Sequence, residues 1–123
     1  MAEESNITRL DRFGRIKLPS AFRRAVEKSG EGEVFVSSTD DRTFEIYPLA
    51  IWHARVDKLL KERKKDPLLR LFFMKANYNG QVARIDRFRR VQIPSLLRKR
   101  IRLEGRINVE EREGHLELRP DIP

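Results

Sequence analysis

The chain has 123 residues, a formal net charge of +8, two histidines and no cysteine. That length suits one core rather than several, and the missing cysteine excludes a disulfide framework and thiolate metal clusters. No stretch approaches the roughly eighteen apolar residues of a membrane span, and MAEESNIT at the start has neither a basic region nor an apolar one, so a soluble cytosolic protein is expected.

Ile7 to Leu10 reads as a short strand, and Ile16, Lys17, Leu18 alternate as a second one after a bend with the sequence DRFGR. Pro19 stops that strand, and Ser20 is placed to cap a helix whose apolar face is Phe22, Ala25 and Val26, with Gly30 as its terminator. Val34 to Ser37 and Thr43 to Tyr47 then form a hairpin turning at Asp40 and Asp41. A helix opening at Tyr47 and Pro48 places Ile51, Trp52, Val56, Leu59 and Leu60 on one side and Lys58, Lys61, Arg63, Lys64 and Lys65 on the other, ending near Lys65. Asp66 caps and Pro67 starts a second helix, LLRLFFMKA, apolar around most of its circumference; packing on the first helix and the β core explains that, with subunit association as the alternative. Asn79 and Gly80 form a turn that ends this helical middle.

The remainder of the chain repeats its beginning. RLDRFGRIKLPSAFR at 9–23 returns as RIDRFRRVQIPSLLR at 84–98, an offset of 75 that also matches Gly30 with Gly105. The second copy again predicts strand, bend, strand, a helix with Ser95, Leu96, Leu97 and Ile101, and a hairpin of Ile107 to Glu110 and Leu116 to Arg119 turning at Glu113 and Gly114. FEIYP at 44–48 answers LELRP at 116–120. Residues 5–48 are thus a first unit, 49–80 a helical linker within the same compact domain and 81–120 a second unit. Neither unit alone buries much, so the two are expected to build a mainly β (α+β) core together.

The charge is concentrated in the repeat. Residues 9–24 carry +5 and residues 84–102 carry +7, so the rest of the chain sums to −4. Two equivalent arginine clusters on one body suit a polyanion with its own repeating charge, nucleic acid first; a solvated basic face is the plainer reading.

An aspartate, three residues, an arginine, an alternating strand, proline and a short arginine-bearing helix together resemble the SpoVT/AbrB family of bacterial transcription factors. Two such units joined by helices, with YPLAIW opening the linker, are similar to its MraZ branch, regulators associated with division and cell-wall gene clusters. The resemblance covers about Ile7 to Pro120. It implies strands of the two units interleaved as swapped hairpins in a small β-barrel, homo-oligomers that include rings, and binding to direct repeats in double-stranded promoter DNA, with a repressor role. Carried over by motif, the DNA-facing positions are Arg15, Arg23 and Arg24 in the first copy and Arg90, Arg98 and Lys99 in the second. Arg9, Arg12, Arg84, Arg87 and Arg89 lie near enough in sequence to join them.

Arginine presents a planar fork of donors suited to phosphate or a guanine edge. Asp11 and Asp86 are poor DNA ligands but good partners for Arg15 and Arg90, orienting them at the bend; an ordinary turn-stabilising ion pair is the competing role. Phe13 and Phe88 are expected to pack into the protein, because base stacking is mainly a single-strand device. Gly14 is replaced by Arg89 in the second copy, which removes a permissive residue from that bend. No cofactor is implied. His53 and His115 lie on a helix and a hairpin without a partner motif, and there is no phosphate-binding glycine loop, nucleophile elbow or metal-ligand spacing, which argues against an enzyme. An AbrB-type antitoxin, or another protein-interaction module that also binds DNA, is the alternative.

Overall fold

The computed structural model of the chain describes residues 6–29, 32–38, 40, 42–61, 67–103 and 105–121. Gly30, Asp41, Arg63, Lys64, Lys65 and Asp66, each given a role by sequence, lie outside them, as do the side chains of Leu69, Phe72 and Phe73. Among the described residues the order is β1 (Asn6–Arg9), β2 (Arg15–Lys17), α1 (Ser20–Ser29), β3 (Glu33–Ser37), β4 (Phe44–Pro48), α2 (Leu49–Lys61), α3 (Pro67–Tyr78), β5 (Gln81–Arg84), β6 (Arg90–Gln92), α4 (Ser95–Ile101), β7 (Arg106–Arg112) and β8 (His115–Pro120). The protein is mainly β, with two matching units and helices between them.

Six strands form one antiparallel sheet in the order β1-β7-β8-β4-β3-β5, and β2 pairs with β6 as a separate ribbon. The copies interleave: β1 of the first pairs with β7 of the second, and β5 of the second pairs with β3 of the first. The register defines a pseudo-twofold axis. Ile16 faces its own counterpart Val91 across the ribbon, and Glu45 faces its counterpart Glu117 across β4 and β8. The barrel implied by the resemblance is not closed by hydrogen bonds, since β1 and β5 end the sheet. The bend after each of them swings the chain out of the sheet plane, so β2 and β6 bond to one another and not to the edges that lead into them.

The core fills the space between ribbon and sheet. Ile16, Leu18, Val91 and Ile93 meet Val34, Val36, Phe44, Ile46, Ile107, Leu116 and Leu118, with Phe22 and Leu97 entering from α1 and α4. Each such side chain contributes about 1.5–3 kcal/mol by leaving water. Alternation along β3 and β4 sends Phe35 and Tyr47 to the opposite face, where α2 covers them with Trp52, stacked 4.7 Å from Phe35. Trp52 Nε1 donates to Asn77 Oδ1 at 3.3 Å, and Ser37 Oγ donates to the Ala76 carbonyl.

Two local expectations are corrected. Ser95 is not a helix cap: Pro94 is the N-cap residue of α4, in an extended conformation, and its carbonyl accepts the Arg98 N–H at 3.0 Å. Pro19 does the same for Arg23 at 3.1 Å in the first copy. Proline lacks the donor that a cap need not supply, so it serves there while Ser20 and Ser95 fall in the first turn. Next, α4 ends before Gly105, because Arg102 takes the left-handed conformation and turns buried Leu103 into the core. α3 meets the sheet and α2 through Ala76 and Asn77, while Leu68, Leu71, Met74 and Tyr78 are exposed.

Candidate nucleic-acid interface

The ribbon exposes a basic face. Because Ile16 and Val91 point into the core, alternation turns their neighbours Arg15, Lys17, Arg90 and Gln92 outward together. Each strand begins at one of the two bends, and antiparallel pairing puts the bends at opposite ends of the ribbon.

Both bends are built in the same way. Asp11 Oδ1 accepts the N–H groups of Phe13 at 2.8 Å and Arg15 at 2.9 Å, and Asp11 Oδ2 accepts Arg15 Nε at 3.1 Å. Asp86 repeats this with Phe88 at 2.8 Å, Arg90 at 2.9 Å and Arg90 Nε at 3.2 Å. One carboxylate therefore fixes the turn and the guanidinium of the strand after it. The Arg15 N–H holds the Asp11 carboxyl below its usual range, with the Phe13 N–H and the Arg15 guanidinium adding to it against desolvation. At Asp86 desolvation is the largest single influence and pushes upward, but the Arg90 and Phe88 N–H groups and the Arg90 guanidinium together outweigh it. The two possible roles of these aspartates, turn clamp and arginine orienter, are one arrangement.

Phe13 and Phe88 do not pack into the protein. They are 56% and 53% exposed, because the aspartate-clamped turn projects residue three of the bend outward. Arg12 and Arg15 lie over the Phe13 ring with Cζ 4.9 and 5.1 Å from its centroid, and Arg87 and Arg90 lie over Phe88 at 5.0 Å each.

The remaining predicted residues surround the bends unequally. Arg9, Arg24 and Lys99 are exposed, and Arg84 lies 3.9 Å from Glu33. Arg23 Nε donates to Glu27 at 3.0 Å along its own helix, whereas Arg98 Nε donates to the Ile93 carbonyl at 3.1 Å and its guanidinium lies over Gly14. Arg89 keeps the left-handed backbone of Gly14, with φ 65° against 80°. The cross-copy bonds are symmetric nevertheless: Ile93 N–H donates to the Gly14 carbonyl at 2.9 Å and Leu18 N–H to the Arg89 carbonyl at 2.7 Å. Sequence reading missed Gln92, whose Nε2 donates to the Phe13 carbonyl at 2.8 Å. The signal was its mismatch with Lys17, one of the few changes of character within the repeated motif.

A family model described as "MraZ protein, putative antitoxin-like" matches residues 1–74. The chain belongs to the MraZ family. It is 33% identical to the transcriptional regulator MraZ of Acidobacterium capsulatum over 111 residues, 90% of this chain and 76% of that one. It is also 33% identical to the MraZ of Koribacter versatilis, over 83% of this chain and 70% of the other. The MraZ of Neisseria meningitidis is 29% identical over 89% of this chain and 73% of its own length. MraZ relatives are named as transcriptional regulators, which is not an enzymatic role. Among the described residues no helix is long and apolar enough to cross a membrane.

Proposed function

We propose that this protein regulates transcription by binding double-stranded promoter DNA in a sequence-specific manner, as a repressor at repeated operator sites. The observation that carries this reading is the ribbon: a two-stranded antiparallel element with Arg15, Lys17, Arg90 and Gln92 on one outward face and an arginine cluster at each end. The major groove of B-DNA admits a two-stranded β-ribbon. In this reading Arg15 and Arg90, oriented by Asp11 and Asp86, reach base edges, while Arg9, Arg12, Arg23, Arg24, Arg84, Arg87, Arg89, Arg98 and Lys99 contact phosphates. The pseudo-twofold axis gives one chain two matching contact sets of opposite direction, so in this reading each direct repeat is taken by its own copy of the chain. Self-association, including rings, belongs to the same reading, with the exposed apolar side of α3 as its surface; light scattering coupled to gel filtration tests it, and a monomer at all concentrations counts against it.

Footprinting on the DNA upstream of the gene for this chain tests the function. Protection of evenly spaced repeats is expected, with affinity falling as salt rises at a logarithmic slope near −0.9 per neutralised phosphate. A flat salt response excludes nucleic acid as the ligand. The antitoxin-like description of the family model favours a second reading, an AbrB-type antitoxin or other protein-interaction module that also binds DNA, in which adding the partner protein alters the protection.

A further inference from the structure

We infer that Phe13 and Phe88 are specificity residues that read the C5 methyl group of thymine in the major groove. This rests on the DNA-binding reading above and extends it from charge to base identity.

Phe13 and Phe88 stand half in water at the same place in both copies and neither ring contributes to the core, so both are available for an external contact. Its position says which one. Arg15 belongs to the outward face of the ribbon and its guanidinium lies over the Phe13 ring, so the ring sits at the end of that face and not on a remote surface. Arg90 places Phe88 at the other end in the same way. Stacking on a base is disfavoured twice: two guanidinium groups already lie over each ring, and bases inside a duplex present edges. Thymine carries the one apolar group on the major-groove edge, and a phenylalanine is among the side chains that match it.

The rings are also held ready. The Phe13 N–H is bound to Asp11 and its carbonyl accepts Gln92 Nε2 at 2.8 Å, while the Phe88 N–H is bound to Asp86. A ring presented by a locked turn loses little further freedom on binding. The phenylalanine recurs in both bends although the next residue changes from Gly14 to Arg89, so the two bends differ in charge but offer the same apolar contact.

The test uses the full chain and the upstream promoter fragment, amplified once with thymidine and once with deoxyuridine, which removes every C5 methyl group and keeps the pairing. Wild-type protein is expected to bind the deoxyuridine fragment roughly fifteenfold more weakly, at about fourfold for each of the two contacted methyls. A Phe13→Ala/Phe88→Ala variant is expected to bind the thymidine fragment about as weakly as wild type binds the other, to ignore the replacement, and to keep the wild-type salt slope and melting temperature. Phe13→Leu/Phe88→Leu, which restores an apolar surface, should regain part of the discrimination. Wild-type binding that is salt-sensitive but indifferent to deoxyuridine overturns the inference and leaves DNA binding standing, as does a double-alanine variant that still discriminates. Absence of salt-sensitive binding to either fragment overturns both.

Discussion

The guanidinium of Arg98, from the second copy, lies over Gly14 of the first, so close that a Cβ on Gly14 would meet Arg98 Cζ at 2.5 Å. The glycine thus serves two purposes, a positive φ of 80° and room for a cation from the opposite half of the molecule. Gly14→Ala is expected to lower stability by about 1–2 kcal/mol from backbone strain and to displace Arg98 as well. Thermal unfolding measures the first effect. Loss of DNA affinity beyond that of Arg98→Ala alone measures any further disturbance of the bend.

Arg89 occupies the equivalent position at φ 65° and so carries a backbone cost that glycine would not. Arg89→Gly should raise stability, although the greater freedom of glycine in the unfolded chain offsets part of the gain and leaves it below about 1 kcal/mol. If Arg89 contacts phosphate, the same variant binds DNA more weakly with a salt slope smaller by about one. Stability and affinity moving in opposite directions would identify a strained residue retained for its charge; a melting temperature that drops refutes the strain.

The two copies, their strands and the Asp–Arg bends were legible because each arises from residues close in sequence: an acceptor four positions before its donor, a proline after an alternating strand, a glycine at a turn. The partnerships between copies were not. Arg23 has Glu27 four positions on along its helix, but nothing near Arg98 in sequence says that it reaches across to Gly14, since that depends on β2 and β6 lying side by side. Phe13 and Phe88 were misjudged for a related reason. Hydrophobicity predicts burial, but a turn clamped by a carboxylate decides direction, and that direction is outward.

Glu45 stands opposite Glu117 where the pseudo-twofold axis crosses β4 and β8, and its carboxyl is pushed up to about 7 by burial, with Asp40 and Glu117 adding repulsion. The folded chain therefore keeps a proton between about pH 4.5 and 7 that the unfolded chain has lost, so stability falls as pH rises through that window. Glu45→Gln imitates the protonated group. It should stabilise the protein at pH 8 by up to about 3 kcal/mol and leave it unchanged near pH 4. Burial lowers the pKa of His115, whose effect on stability has the opposite sign, so the difference between variant and wild type at each pH is the quantity to track. Denaturant titrations at pH 4, 6 and 8 check it, and a difference that stays constant across them removes Glu45 as the cause.

Arg15 and Arg90 are the pair on which the DNA reading depends most. Each is a third or less exposed, oriented by one carboxylate, and points outward from the ribbon. Their ion pairs are partly solvated, and such pairs contribute about 1 kcal/mol or less to folding. Arg15→Ala and Arg90→Ala should therefore barely move thermal unfolding while weakening binding to the upstream fragment by roughly 1–3 kcal/mol where the residue reads a base. Arg15→Lys keeps the charge but not the fork, so it separates the two roles: a lysine that restores affinity assigns Arg15 to phosphate, and one that does not assigns it to a base edge. Binding that survives both alanine substitutions undiminished would move the interface off the ribbon altogether.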